Sequence, residues 1–303
     1  MLIDAVDRYL AVRRAAGFTL AGDGRRLKRF AEFAHARGHV TITSEIAIEW
    51  ASVARSVPQR ARLLGLLIRL ARYLRAEDGR HEIPPAVFGA ERLSRPSPYI
   101  LTPEQIRHLI RAAAQSGYRT FRRVTYPTFF ALLACTGLRV SEAIRLRYRD
   151  ITLDGLVIRR TKFGKTRLVP LHDTAQAAIE RYLCQRRRVA RADDHVFIST
   201  SQTPLRLSDV AKAFRTAVQR VGLPCRTGQR PHPTPYSLRH TFATRALQVC
   251  PPSREAVTRH MVALSTYLGH STAANTYWYL EAVPDLLRDI ADETERTVMG
   301  GQS

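Results

Sequence analysis

The segment TGLRVSEAIRL (136–146) puts an arginine directly after a Thr-Gly turn, at the predicted start of a helix. The first amides of a helix favour an anion, and the guanidinium of Arg139 adds a positive fork beside them. Glu142 follows one turn later on the same face, where it can hold Arg139 in place. This pattern is typical of phosphate recognition, but a surface arginine is also ordinary in a chain so rich in arginine.

A second candidate lies in TKFGKTRLVPL (161–171), between two short β-type runs at 156–160 and 166–171. The spacing predicts a hairpin. Two of the four lysines in the chain, Lys162 and Lys165, lie at its tip. A lysine on a rigid turn can donate a proton at a fixed point, although a solvated turn accepts lysine equally well.

The segment TPYSLRHTFAT (234–244) is predicted to be helical and carries three side chains that can act on a phosphate. Tyr236 and Arg239 are three residues apart and share a face of the helix, whereas His240 is rotated about a quarter turn away.

The segment YLGHSTAANTYWYL (267–280) contributes one imidazole, His270, and three consecutive aromatic residues that include Tyr277 and Tyr279. Taken alone, the aromatic residues indicate core packing and a single histidine indicates a structural role.

In chain order these features are an Arg, a hairpin Lys, an Arg-His pair, a Leu-Gly-His and a Tyr nine residues later. That order resembles the tyrosine recombinase (phage integrase) family, whose boxes are similar to TGLRVSEA, KTRLVPL, LRHTFAT and LGHS of this sequence. The resemblance extends over roughly residues 100–285. These sequences are similar to those of transposon-associated and Xer-like integrases. Four boxes in one order are a specific signal, whereas any single box is not.

The resemblance implies catalytic roles residue by residue. Arg139 takes the place of the first-box arginine, and Arg239 that of the second. Lys162 takes the place of the hairpin lysine and His270 that of the third-box His or Trp. Tyr279, nine residues after His270, takes the place of the nucleophile. Tyr277, two residues earlier on a helical segment, would point to nearly the opposite side.

One position departs from the family pattern. The family usually has a histidine three residues before the second arginine, and this chain has Tyr236 there. A phenol can donate a hydrogen bond to a phosphate oxygen but cannot act as a base near neutral pH. The sequence leaves open whether Tyr236 supports full turnover.

The reaction that the resemblance implies is cleavage and rejoining of DNA through a covalent 3′-phosphotyrosine, with no cofactor and no metal. Two guanidiniums supply the positive charge that Mg²⁺ would otherwise provide. Lys162 then protonates the departing 5′ oxygen and His270 binds a phosphate oxygen.

Three alternatives share some of these features. A type IB topoisomerase uses the same residue types, and a recombinase-fold accessory protein would bind DNA without cutting it, as Tyr236 alone favours. A metal-dependent nuclease would need ligands, and the candidates His232, His240, His260 and His270 show no ligand spacing.

The elements that must position these residues are predicted to be mainly helical with a small β-sheet, an α+β fold. Residues 1–80 read as four helices, 81–99 as a Pro-rich linker, and 100–303 as a mixed catalytic domain that ends in a helix at 284–298. The N-terminal helices resemble the family's core-DNA-binding domain.

Charge supports a nucleic-acid partner, since 48 Lys and Arg against 26 Asp and Glu give a net charge of +22. The fourth helix carries a basic face, and we predict double-stranded DNA as the partner. The predicted DNA-contacting residues are Arg60, Arg62, Arg69, Arg72, Lys165 and His240.

Neither the N-terminus nor any apolar run predicts a signal peptide or a membrane span, and the four scattered cysteines predict neither a disulfide framework nor a zinc site. We therefore expect a cytoplasmic, nucleoid-associated protein. Recombination of two sites implies four protomers, and helix 284–298 is expected to dock on a neighbour. The sequence does not reveal the DNA site, any accessory protein, or whether the role is transposition, phage integration, integron shuffling or chromosome-dimer resolution.

Overall fold

The computed structural model describes residues 2–89, 97–115, 121–159, 166–189, 194–224, 232–251, 253–270, 272 and 274–279. These residues form mostly helices and one small sheet, which confirms the predicted mainly helical α+β fold. Within these ranges, no helix has the length and apolar content that crossing a membrane requires. The chain divides into two compact units, residues 1–95 and 96–303.

The first unit contains four helices, and each of them was predicted from apolar spacing. They are α1 (Leu2–Ala15), α2 (Ala21–Ala36), α3 (Ser44–Ser52) and α4 (Val57–Glu77). Apolar residues three or four apart give each helix one buried stripe, such as Leu27, Phe30 and Ala34 on α2. The segment after α4 also packs into this unit, since the buried imidazole of His81 accepts a hydrogen bond at Nδ1 from the backbone amide of Ile42 (3.0 Å).

The second unit contains eight α-helices and one short 3₁₀ helix (Tyr148–Asp150) among the described residues. The α-helices are α5 (Pro103–Ala114), α6 (Arg122–Thr136), α7 (Val140–Ile144), α8 (Asp173–Val189), α9 (Leu207–Val221), α10 (Pro235–Gln248), α11 (Arg254–Leu268) and α12 (Ala274–Tyr277). Helix α5 begins with a capping box, in which the Thr102 hydroxyl accepts from the Gln105 amide and the Gln105 side chain accepts from the Thr102 amide.

The core of this unit forms around α6, whose Phe129 and Phe130 are fully buried. Their rings meet those of Phe197 and Phe214 edge-on, at centroid distances of 5.0 and 5.2 Å. A smaller apolar cluster joins α10, α11 and the turn after α12, and it includes Tyr279. Burial therefore fixes helix α10, which carries Arg239, and the turn that carries Tyr279.

The sheet has three antiparallel strands, β1 (Ile151–Thr152), β2 (Gly155–Ile158) and β3 (Arg167–Val169). Pairing of β2 with β3 confirms the predicted hairpin, whose tip at 160–165 lies outside the described residues. The short β1 was not predicted. The apolar segment 196–199 is not a strand, because it forms only an isolated bridge at Ile198 and then turns back through a Ser199–Thr203 hydrogen bond.

Candidate active site

Arg239 lies on α10 and is almost completely buried, with 4% of its surface exposed. Its Nη1 donates to the carbonyl of Gly137 (2.7 Å) and its Nη2 to the carbonyl of Leu268 (2.8 Å). Burial, together with the nearby charge of Arg139, lowers the pKa of the Arg239 guanidinium to about 10. It therefore remains a cation near neutral pH.

Arg139 precedes α7, and the turn before it explains the Thr-Gly motif. Gly137 caps α6 with a left-handed φ of 61°, and a Cβ there would meet the Phe242 ring at 2.5 Å. This glycine lets the chain reverse closely against α10, which carries Arg239. The Nη2 of Arg139 then reaches the carbonyl of Gly269 at 2.8 Å.

The turn at Leu268 and Gly269 is the point where the two arginines meet. Successive carbonyls of this turn accept from Arg239 and from Arg139, although the two arginines are 100 residues apart in sequence. Gly269 ends α11 with a φ of 65°, a conformation that favours glycine. Two guanidiniums held side by side create a concentrated positive charge, which suits a phosphate.

Glu142 is buried and accepts from two arginines. Arg139 donates from Nη1 (2.8 Å) and from its backbone amide (3.0 Å), as predicted from the one-turn spacing. Arg167 donates from both Nη atoms, at 3.1 and 2.8 Å. Burial opposes ionisation of Glu142, but the hydrogen bonds and charges of Arg167 and Arg139 outweigh it and lower its pKa to about 2.

Arg167 was missed by the sequence analysis. The signal for it is strand alternation, because Arg167 and Val169 share one face of β3 while Leu168 is exposed on the other. Val169 is fully buried, so Arg167 is a charged residue on the inward face. Such a residue requires a partner, which Glu142 provides.

His270 lies beside Arg239. Its Nε2 is 3.1 Å from Arg239 Nη2 and its Nδ1 is 2.7 Å from the Thr276 hydroxyl. Arginine only donates, so Nε2 accepts and the proton of the neutral ring is assigned to Nδ1. Burial, with the charges of Arg239 and other arginines, lowers the pKa of His270 to about 4.

Tyr279 faces inward, with 3% of its surface exposed, whereas Tyr277 is 55% exposed. The Tyr279 hydroxyl is 3.1 Å from His240 Nδ1, and its ring stacks on that of His270 at a centroid distance of 6.2 Å. Burial raises the pKa of Tyr279, which Arg239 partly offsets. The phenol thus reaches the same cluster as the two guanidiniums.

Other predicted residues lie elsewhere or outside the described ranges. Tyr236 is 39% exposed on α10. Lys162 and Lys165 lie outside the described residues, as does the predicted helix 284–298. On α4, Arg60 is half-buried and donates from Nε to the Ala54 carbonyl (2.9 Å). The other three predicted α4 contacts, Arg62, Arg69 and Arg72, are exposed.

A metal centre has no ligand set in the part of the chain that the structure describes, since no three His, Cys, Asp or Glu side chains are grouped for one. What the cluster does contain is two convergent guanidiniums, a neutral imidazole and a phenol. On a helical scaffold with a β-hairpin, this combination suits an enzyme that breaks and rejoins phosphodiesters.

Comparison with known proteins agrees with this class. The phage integrase family model matches residues 100–284. The integrase/recombinase y4rB of Sinorhizobium fredii is 36% identical over 303 residues, which cover 96% of each chain. The tyrosine recombinase XerD of Brucella abortus is 26% identical over 313 residues, covering 95% of this chain and 96% of XerD.

The fold is also similar to that of a solved recombinase. The post-cleavage complex of the XerH site-specific recombinase with difH matches with a TM-score of 0.65 at 20% identity, covering 89% of this chain and 78% of XerH. The chain belongs to the phage integrase family, and it is a tyrosine recombinase of site-specific DNA recombination.

Proposed function

We propose that Tyr279 is the nucleophile of this recombinase and that Arg139 and Arg239 bind the phosphate it attacks. One observation carries the proposal: both guanidiniums donate to adjacent carbonyls of the 268–269 turn, and the Tyr279 ring stacks on His270 next to it. Arg forks bind non-bridging phosphate oxygens more rigidly than Lys. They stabilise the charge of the transition state.

Strand cleavage exchanges one phosphate ester bond for another. The Tyr279 oxygen bonds to phosphorus while the bond from phosphorus to the 5′ oxygen breaks, which leaves a 3′-phosphotyrosine and a 5′-hydroxyl. His240, at hydrogen-bond distance from the phenol, accepts its proton. Lys162 donates a proton to the 5′ oxygen. His270 binds a phosphate oxygen in the tautomer that carries its proton on Nε2, once Arg239 turns from this nitrogen to the phosphate. A second 5′-hydroxyl then attacks the phosphorus, which forms a new phosphodiester, breaks the phosphotyrosine bond and returns a proton to the Tyr279 oxygen.

The free protein shields its nucleophile, since Tyr279 is 3% exposed. We infer that DNA binding opens this buried cluster enough for the scissile phosphate to reach the Tyr279 hydroxyl while its contact with His240 is kept. We therefore assign the described geometry to a state before cleavage.

DNA would be held by both units. The proposed phosphate contacts are Arg60, Arg62, Arg69 and Arg72 in the first unit and Lys165 and His240 in the second. Exchange between two duplex sites requires four cuts, so we propose a tetramer in which helix 284–298 docks on a neighbouring protomer. Because its proposed substrate is DNA, we propose that the protein acts at the nucleoid in the cytoplasm.

The experiment that tests this function uses a suicide DNA site and detects an SDS-resistant adduct. We expect an adduct in excess chelator, its loss in Tyr279→Phe and its persistence in Tyr277→Phe. An adduct that survives Tyr279→Phe contradicts the assignment. Relaxation of supercoiled plasmid without any specific site would identify a topoisomerase-like enzyme instead.

A second candidate function is a DNA-binding accessory protein without cleavage. Tyr236 favours it, because this side chain stands where the family usually has a histidine. Site-specific binding by the wild-type protein with no adduct, even at long incubation, would support this alternative.

A further inference from the structure

The Glu142 carboxylate is shared between two arginines in a specific way. Arg167 lies along the carboxylate and contacts both of its oxygens, Oε1 at 3.1 Å and Oε2 at 2.8 Å. The side chain of Arg139 contacts Oε1 alone, through Nη1 at 2.8 Å. Glu142 is therefore bidentate to Arg167 and monodentate to the Arg139 side chain.

Because the Arg139 side chain contacts only one oxygen of Glu142, part of its guanidinium makes no contact with this carboxylate. Its side chain is 26% exposed, compared with 13% for Arg167 and 7% for Glu142. Two cations and one anion also leave a net positive charge on the group. An Arg139 paired bidentately with Glu142 would instead present a neutral pair, which attracts a phosphate less strongly.

Arg167 itself is mounted rigidly. It pairs with Ile158 across the β2–β3 ladder. Its guanidinium also packs beneath the 268–269 turn, because a Cβ added to Gly269 would lie 2.9 Å from its Nη1. A side chain fixed by a strand and a turn can hold the Glu142 carboxylate in one orientation.

We propose that Arg167 is a positioning residue that occupies Glu142 bidentately and thereby keeps the Arg139 guanidinium charged and open to the scissile phosphate. Arg167 does not contact the phosphate itself. The inference rests on the proposed role of Arg139. Without Arg167, the carboxylate turns toward Arg139 and competes with the phosphate for its fork.

The test is a double-mutant cycle on single-turnover adduct formation at saturating suicide substrate. We expect Arg167→Gln to slow cleavage by about 10- to 100-fold with an unchanged Kd for DNA. Adding Glu142→Gln to Arg167→Gln removes the competing charge, so the double variant cleaves about tenfold faster than Arg167→Gln alone. If Arg167 and Glu142 only stabilised the fold, adding Glu142→Gln would instead slow cleavage further.

Arg147→Gln is a matched control, because Arg147 forms an ion pair with Asp194 (2.8 Å) in the same unit. Arg147→Gln should cleave at the wild-type rate. If it slowed cleavage as much as Arg167→Gln does, the effect of Arg167→Gln would come only from the loss of a positive charge. If Arg167→Gln fails to fold, Arg167→Lys keeps the charge but cannot span both oxygens, and we expect an intermediate rate.

Additive losses in the cycle, or wild-type cleavage by Arg167→Gln or Arg167→Lys, would overturn the proposal. Failure of the proposed function has a different signature, since the wild-type protein would then form no adduct at all.

Discussion

The Nδ1 atom of His240 lies 3.1 Å from the hydroxyl oxygen of Tyr279. His240 directly follows the buried Arg239 on α10, whereas Tyr279 lies in the turn after α12. Because burial raises the pKa of Tyr279, its phenol is protonated near neutral pH and needs an acceptor for its proton when it attacks. The hydrogen bond connects the proposed nucleophile to an imidazole that can accept this proton when its own proton is on Nε2.

The first prediction is that His240→Ala slows adduct formation by about 100-fold near pH 7. Without the imidazole, attack depends on the ionised phenol, so the rate of the variant continues to rise with pH and its deficit narrows. Single-turnover rates between pH 6.5 and 9.5 measure this, with His172→Ala as a control outside the site. Faster cleavage by His240→Ala would mean that the contact only restrains Tyr279.

The second prediction concerns Tyr236, which is accessible on α10 one turn before Arg239. If its hydroxyl donates to the phosphate, Tyr236→Phe removes one charge-assisted hydrogen bond and slows cleavage by about tenfold or more. Tyr236→His keeps a donor and should retain most of the activity. Equal rates for Tyr236→Phe and the wild-type protein would show that the phenol plays no part.

Sequence patterns predicted most of the features that depend on residues close together in the chain. Periodicity located the helices, and the two lysines between β-type runs located the hairpin. The order of boxes identified Arg139 and Arg239, which the structure brings to one turn. The sequence alone does not predict the role of Gly137, because this role depends on close packing against Phe242, which is distant in the chain.

The unpredicted parts depend on contacts between distant segments. Arg167 is 25 residues from Glu142, and no spacing rule joins a strand residue to a helix carboxylate. The partner of His240 was missed because helical rotation was judged only within α10, whereas Tyr279 approaches from another element. The segment 196–199 is rich in apolar residues but is buried as a turn, which periodicity cannot distinguish from a strand.

The third prediction is a stability change that depends on His270. Its folded-state pKa of about 4 lies below the ordinary value of 6.5, so between these values the unfolded chain binds a proton that the folded chain does not. The free energy of unfolding therefore falls as the pH drops from about 6.5 to 4.

Chemical denaturation of the wild-type protein and of His270→Gln across this range measures the effect. Because the glutamine does not titrate, we expect a shallower pH dependence in the variant. Identical slopes in the two proteins would show that His270 is protonated as easily in the folded state as in the unfolded chain.

The fourth prediction separates backbone strain from steric conflict with two glycines. Gly137 and Gly222 both have a left-handed φ, 61° and 68°, but a Cβ at Gly222 meets nothing within 4 Å. Gly222→Ala should cost about 1 kcal/mol of stability and leave cleavage unchanged. Gly137→Ala must also displace the Phe242 ring, so it should lower the stability further and slow cleavage by shifting α10 and Arg239. Equal melting temperatures and equal rates for the two variants would refute this role of Gly137.

The fifth prediction concerns the basic face of α4. Arg62, Arg69 and Arg72 are exposed and, at spacings of seven and three residues, share one side of the helix. If each neutralises a phosphate, the triple alanine variant lowers the slope of log K against log salt concentration by about 2 to 3. Cleavage at saturating DNA should stay near the wild-type rate, because these residues are not part of the Tyr279 cluster. Arg37→Ala is the control for the loss of a paired surface cation outside α4, since Arg37 pairs with Glu49 (3.0 Å) as Arg62 pairs with Asp23 (3.7 Å). An unchanged salt slope in the triple variant would show that this face does not contact DNA phosphates and that other arginines do.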